Sequence, residues 1–389
     1  MPIPVSFDVS RLRDAALGPI ARKLMAGERL SVADGVTLFR SPDLLGVGAM
    51  ADAANRARHG DQVTFAANQH INPTNICVLR TTCAFCGYAR LPKEAGAYRY
   101  SLAQVMEEAE QADNGLTREF HIVGGLDMQA GLEYYTTMFR ALKARLPHVH
   151  IKALTAVEIA HIARIEKMAW KDVLIALRDA GLDTMPGGGA ETFSEAVRDE
   201  IAGKKLGGAD FINVHRAAHE LGIRTNCTML YGHVETIEDR MEHLDMLRTL
   251  QDETGGFLAY IPLSYHPDGN ALGAKLQREG VASTGFDDLR NLAVGRLFLD
   301  NFAHIKSHWI MVTSAVTQIA LHFGVNDIEG TVVREKIYHA VGAPTPQGMT
   351  LPQLLRLIQG AGKIAAERDS FYNVVRVFSA EPEPVVVAA

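Results

Sequence analysis

From Val63 onward the chain alternates between two textures, and this alternation constrains the fold more than any other feature. Short apolar runs at 63–67, 119–123, 149–154, 184–186, 224–230, 258–263 and 305–312 have the length and composition of buried strands. Between them, segments at 102–114, 132–146, 157–180, 211–221, 237–254, 287–301 and 314–323 carry apolar residues at helical spacing. A parallel strand can be reached from its neighbour only by a crossover, so strand–helix–strand repeats build a parallel sheet. Seven repeats, with an eighth strand expected after Val325, predict an α/β fold: a (β/α) TIM-type barrel, closed or nearly closed. A length of 389 residues holds a barrel of about 250 residues plus extensions. Residues 1–60 read as an N-terminal helical extension, with helices at 11–26, 31–39 and 42–58. It either covers the barrel or forms a subunit contact of a homodimer. Residues 61–345 read as the barrel, and 346–389 as a C-terminal helical appendage (helix 351–361) with a loose tail from Ala380.

Composition removes several function classes. At 47% hydrophobic and 22% charged residues, the chain can bury a large core and is not a disordered protein. The net charge of −6 offers no basic surplus for nucleic acid. No apolar run approaches the roughly 20 residues of a membrane span. Charges appear early between Met1 and Arg13, without a signal-peptide core, so a cytoplasmic location is expected.

Only four cysteines occur, and three of them, Cys77, Cys83 and Cys86, fall within ten residues after the first strand. A disulfide scaffold is excluded, and a metal or redox site is favoured. Three thiolates on one loop can hold an iron–sulfur cluster and leave one iron open to a small molecule. The rival is zinc, which needs a fourth ligand from His70 or Cys227; that reading gives a zinc-stabilised, non-enzymatic barrel. Cys227 adjoins Asn226 and Thr228 and by alternation should face away from them, into the core.

Chemistry in such barrels sits at the C-terminal ends of the strands. Gly124-Gly125 follows the second strand, either as a ligand cradle or as a plain turn. Thr155 and Glu158 follow the third, as ligand contacts or as a helix start. The triple glycine 187–189 and Glu191 follow the fourth; Glu191 is read as an acceptor for a ligand's hydroxyl or amino groups, or as a helix-start carboxylate. His233 and His266 follow the fifth and sixth and are candidate catalytic groups. Asn226 and Lys306 (with His308) are candidates to point inward from their strands.

The segment CVLRTTCAFC (77–86) resembles the cluster loop of the radical S-adenosylmethionine (radical SAM) enzymes, whose usual pattern is C-x3-C-x-aromatic-C. Phe85 fills the aromatic place; the first gap is five residues instead of three. HINPTNICVLR (70–80), EFHIVGGLD (119–127), HIKALTAVEI (150–159), GLDTMPGGGAE (181–191), TMLYGHVET (228–236), LQDETGGF (250–257) and GTVVREKIYHAVGAPTPQG (330–348) together resemble the aminofutalosine synthase family.

The resemblance implies a [4Fe-4S] cluster on Cys77, Cys83 and Cys86 and S-adenosyl-L-methionine as co-substrate. Gly124 and Gly125 would meet its methionine moiety, and the Tyr88 backbone its adenine. It further implies addition of a 5′-deoxyadenosyl radical to 3-[(1-carboxyvinyl)oxy]benzoate, giving 6-amino-6-deoxyfutalosine, methionine and bicarbonate on the futalosine route to menaquinone. A flavodoxin or ferredoxin would supply electrons. Two carboxylates on the substrate call for cations or several donors, with Arg90, Asn226, His233, His266 and Lys306 as candidates. Dehypoxanthine futalosine cyclase and deazaflavin (FO) synthase share the barrel and cluster and are the alternative activities.

Overall fold

In the computed structural model, which describes residues 3–112, 115–279 and 283–378, the expected alternation closes on itself. The strands are β1 (Gln62–Phe65), β2 (Asn68–Ile71), β3 (Glu119–Ile122), β4 (His150–Ala153), β5 (Thr184–Met185), β6 (Arg224–Tyr231), β7 (Phe257–Ser264), β8 (His304–Ser307), β9 (Asp327–Ile328), β10 (Ile364–Arg368) and β11 (Val374–Phe378). Their order is β11-β10-β1-β9-β8-β7-β6-β5-β4-β3-β2, parallel except for β11. β1 and β2 are the lower and upper halves of one broken strand. β1 pairs with β9, and the chain just past β9 pairs with β2: Thr331 N–H donates to Ala66 O (3.3 Å), Val333 N–H to Asn68 O (3.3 Å) and His70 N–H to Val333 O (3.1 Å). These bonds complete the ring of a (β/α) barrel.

The seam explains Gly330. A Cβ there would lie 1.7 Å from Ala66 O and 2.5 Å from Asn68 Oδ1. Gly330→Ala must therefore push two strands apart, and a loss of about 2–3 kcal/mol is expected. Thermal melting checks this, and an unshifted midpoint would show that the seam can flex.

Four sequence expectations are revised. The first strand runs on to Ile71 instead of giving way to a loop at Asn68, because Asn68 and His70 face the barrel interior and keep period two. The long helix at 157–180 is two, Ala156–Glu166 and Trp170–Asp179, parted where Lys167 turns left-handed (φ 56°). The seventh apolar run (305–312) stops as a strand at Ser307, and Trp309–Val312 is a helical turn. Past residue 346 the chain forms the expected helix, Leu351–Gly360, but also a β10–β11 hairpin that extends the sheet beside β1. The first helix begins at Leu17. Helices Glu195–Ala202 and Ala271–Glu279, whose buried stripes (Val197 and Ile201; Leu272 and Leu276) span little more than one turn each, escaped the reading. The tail from Ala380 lies outside the described residues.

The core sits between the outer faces of the strands (Phe120, Ile151, Met185, Cys227, Ile305) and the surrounding helices. The helices Leu17–Ala26, Val32–Arg40 and Leu44–His59 lie over that layer, pinned by Arg290 donating to Phe39 O (2.9 Å) and Arg248 to Leu30 O (2.8 Å). The barrel interior is different: Thr64, His70, Glu119, His121, Lys152, Asn226, Lys306 and Asp327 alternate inward from an apolar frame. Ion pairs satisfy its charges: Lys152–Glu119 (2.7 Å), Lys306–Glu329 (2.6 Å) and Arg368–Asp327 (2.8 Å).

Candidate active site

A cavity of about 370 Å³ occupies the upper half of the barrel, within the range of small-molecule sites. Cys77, Cys83 and Cys86 line it, all as free thiols. Their loop is held on several sides. Cys77 N–H donates to Arg90 O (2.9 Å), Val78 N–H to Leu126 O (3.1 Å), and Ala84 N–H to Ile201 O (2.8 Å); Ala84 O accepts from Leu272 N–H (3.0 Å). The two helices missed in the sequence are thus the ones that brace the loop. Burial pushes the Cys83 thiol up to about 11, while Lys205 pulls it back. Lys205 is partly buried, paired with Glu191, and lies 5.1 Å over the Phe85 ring.

The thiols suit a cluster and not a zinc ion. Zinc with thiolates at about 2.3 Å would draw sulfurs within about 4 Å of each other, around four ligands. Among the described residues no three His, Cys, Asp or Glu side chains make such a set. Cys227 is wholly buried and directs its thiol to Ala259 O (3.7 Å), and His70 belongs to the floor. A cluster spreads its three cysteines over three irons, which a wider set on a fixed loop allows.

Gly124 and Gly125 line the cavity, but their N–H groups are spent. Gly125 N–H donates to Thr74 O (2.9 Å) and Gly124 N–H to Glu158 Oε1 (2.9 Å). A Cβ on Gly125 would stand 2.2 Å from Ile76 O, so the glycines first of all let the start of the cysteine loop lie against the strand end. Thr155 and Glu158 form a capping box: Glu158 Oε2 accepts from Thr155 N–H (2.7 Å) and Oγ1 (2.8 Å). Glu158 therefore clamps Gly124 to its helix, and burial pushes its carboxyl up to about 7. Tyr88 packs inward and shares a hydroxyl hydrogen bond with Tyr98 (2.6 Å). Glu191 precedes its helix in a left-handed backbone (φ 54°), so the helix-start role does not apply.

Two expected substrate contacts fall elsewhere. His233 is absent from the cavity lining: Val234 N–H donates to its Nδ1 (2.8 Å), its Nε2 meets Leu230 O (3.1 Å), and Glu235 closes the turn. Arg90 turns onto its own loop, donating to Gly87 O (2.8 Å) and Ala89 O (2.8 Å). Asn226, His266 and Lys306 do line the cavity, as does His308. Asn226 Oδ1, His308 Nδ1 and His70 Nε2 are buried without a hydrogen-bond partner, and His266 Nε2 has only the Asp268 carboxylate at 3.5 Å, which marks the cavity as built for a polar guest. His266 packs on Tyr338, whose segment 335–341 roofs the cavity. His121, Lys152, Glu329, Glu335 and Tyr338 were missed in the sequence, and His70 was named there only as a fourth ligand for zinc. Polar residues at alternate places of E-F-H-I (119–122) and N-Q-H-I (68–71) were the available signal.

Residues 71–247 match the Radical SAM superfamily, and residues 254–380 the CofH/MqnC C-terminal region. The aminodeoxyfutalosine synthase of Thermus thermophilus is 46% identical over 94% of this chain and 98% of its own length. That of Streptomyces coelicolor is 40% identical over 94% and 95%. A 5-amino-6-(D-ribitylamino)uracil–L-tyrosine 4-hydroxyphenyl transferase of Methanosarcina acetivorans is 38% identical over 85% and 87%. The crystal structure of methylornithine synthase (PylB) shares the fold at a TM-score of 0.70, with 16% identity, covering 88% of this chain and 96% of that one. The chain thus belongs to the radical SAM superfamily of enzymes, which use a [4Fe-4S] cluster and S-adenosylmethionine. Within that superfamily the two aminodeoxyfutalosine synthases match at 46% and 40% identity over nearly their full length.

Proposed function

We propose that the protein is an aminodeoxyfutalosine synthase in menaquinone biosynthesis, acting in the cytoplasm on 3-[(1-carboxyvinyl)oxy]benzoate with electrons from a flavodoxin or ferredoxin. The observation that carries this reading is the shared cavity: the cysteine loop forms one end and a polar floor the other, in a chain near-identical in extent to those synthases. Cys77, Cys83 and Cys86 would hold the cluster, which supplies the electron that splits S-adenosylmethionine into methionine and a 5′-deoxyadenosyl radical. The chain's own residues position the partners. The Glu158 clamp sets Gly124 at the mouth, where its carbonyl is left to meet the amino group of the methionine moiety. Leu230, Ile261, Leu263, Met311 and Ile337 wall the space between mouth and floor and keep water and stray hydrogen donors away. Product would form as the adenosyl carbon bonds to the vinyl carbon, the aryl group shifts from the ether oxygen to the neighbouring carbon with cleavage of the aryl C–O bond, and the vinyl carboxylate leaves as carbon dioxide (bicarbonate once hydrated), the unpaired electron passing back to its donor so that the sum is redox-neutral.

The test is anaerobic turnover of reconstituted enzyme with dithionite, adenosyl-labelled S-adenosylmethionine and the dicarboxylate, followed by mass spectrometry. Label in an adduct of the mass of aminodeoxyfutalosine is expected. Label only in 5′-deoxyadenosine would overturn the assignment in favour of a cyclase or a deazaflavin-forming enzyme.

A further inference from the structure

The cavity floor carries an imbalance of donors that the ion pairs do not relieve. Lys306, which the sequence offers as a carboxylate partner, is already 2.6 Å from Glu329, and Glu329 also accepts from Asn68 Nδ2 (2.6 Å). Lys152 is matched by Glu119 (2.7 Å) and Arg368 by Asp327 (2.8 Å). Glu335, the remaining carboxylate facing this corner, is taken up by His339 Nδ1 (2.6 Å) and by the N–H groups of Tyr338 and His339. Three buried cations thus meet three buried carboxylates, and the floor offers a guest no uncompensated positive charge.

Two imidazoles are different. His70 on β2 stacks on His121 (4.6 Å) and leaves Nε2 buried and unpartnered; His308, just past β8, leaves Nδ1 buried and unpartnered. Both line the cavity, and both face the Lys306–Glu329 pair. An imidazole nitrogen can carry a proton and donate it, at a site where each ammonium and guanidinium already faces a carboxylate.

The direction of the substrate follows from the cavity. The vinyl carbon must reach the adenosyl group at the cysteine end, so the ring carboxylate points to the floor. We propose that His70 and His308 donate hydrogen bonds to that ring carboxylate and so anchor the substrate for attack at its far end. This rests on the substrate assigned above. The Lys306–Glu329 pair acts as a positioning element beside them, and the pocket prefers aryl carboxylates over neutral aryl ethers.

The experiment compares binding of the dicarboxylate with that of 2-phenoxyprop-2-enoate, which lacks only the ring carboxylate, to reconstituted holoenzyme by equilibrium dialysis. Charge-assisted donors in a buried site predict a preference of about tenfold to a hundredfold for the dicarboxylate in the unsubstituted enzyme. In His70→Phe and His308→Phe the preference should fall toward unity while iron content and S-adenosylmethionine binding persist. If a Phe variant fails to fold, the Asn variants at both positions carry the test and should lose at least about threefold of the preference. A preference unchanged in the folded variants overturns the anchoring alone. Failure of the unsubstituted enzyme to bind the dicarboxylate overturns the substrate assignment and the anchoring together.

Discussion

Alanine at Cys77, Cys83 or Cys86 is expected to abolish turnover, with iron and sulfide content falling in the reconstituted protein. Each substitution removes one of three thiolates, and the fourth cysteine cannot replace it: Cys227 faces Ala259 in the outer core. Cys227→Ala should keep its cluster and lose only about 1 kcal/mol of stability from the small void. Iron analysis and the brown colour of the anaerobic protein separate these outcomes. Iron lost from Cys227→Ala and kept by one of the other three would show that the ligand set is wrong.

A second large effect concerns acid. Burial holds His243 and His304 down to about 3 and His308 to about 4, against an ordinary value near 6.5. His243 is stacked on Phe193 (3.9 Å) and bonded through Nε2 to Thr228 O (2.9 Å), with no room for a hydrated cation. The unfolded chain binds protons at these groups below about pH 6.5 and the folded chain does not. Their contribution is therefore intact above that pH and is lost as pH falls toward 4. By pH 5 each group has cost roughly 2 kcal/mol, so three of them remove about 6 kcal/mol from a domain of typical stability. The melting temperature should drop steeply between pH 7 and pH 5. A flat profile over that range would mean that these imidazoles accept protons without unfolding. Substrate anchored between His70 and His308 should soften the drop, since a carboxylate there favours the protonated rings.

The class of fold was readable because it follows from local pattern. Apolar runs of strand length, alternating with helical stripes, admit few arrangements other than a parallel barrel, and short loops tie each element to the next. The cysteine loop was readable for a similar reason: its ligands are close in sequence, so their spacing alone brings them together. Cys227 could be set aside by simple alternation, and Asn226, Thr228 and Lys306 could be aimed inward the same way.

What local pattern could not carry was anything decided between distant segments. Whether a turn residue such as His233 or Arg90 faces a cavity depends on which backbone groups of its own loop remain unpaired, and there the loop claims both. The hairpin β10–β11 joins the sheet only because the lower half of a broken strand leaves an open edge at β1. The neutrality of the floor is a sum over strands β3, β4, β8, β9 and β10, since Lys152 answers Glu119, Lys306 answers Glu329 and Arg368 answers Asp327. Sequence by itself determined the barrel, the three-cysteine loop and the family resemblance, since each rests on pattern or spacing within short local stretches. Only the tertiary structure decided which polar groups of the interior cancel and which are left for a ligand, because charge and hydrogen-bond balance in a closed barrel belong to all its strands at once.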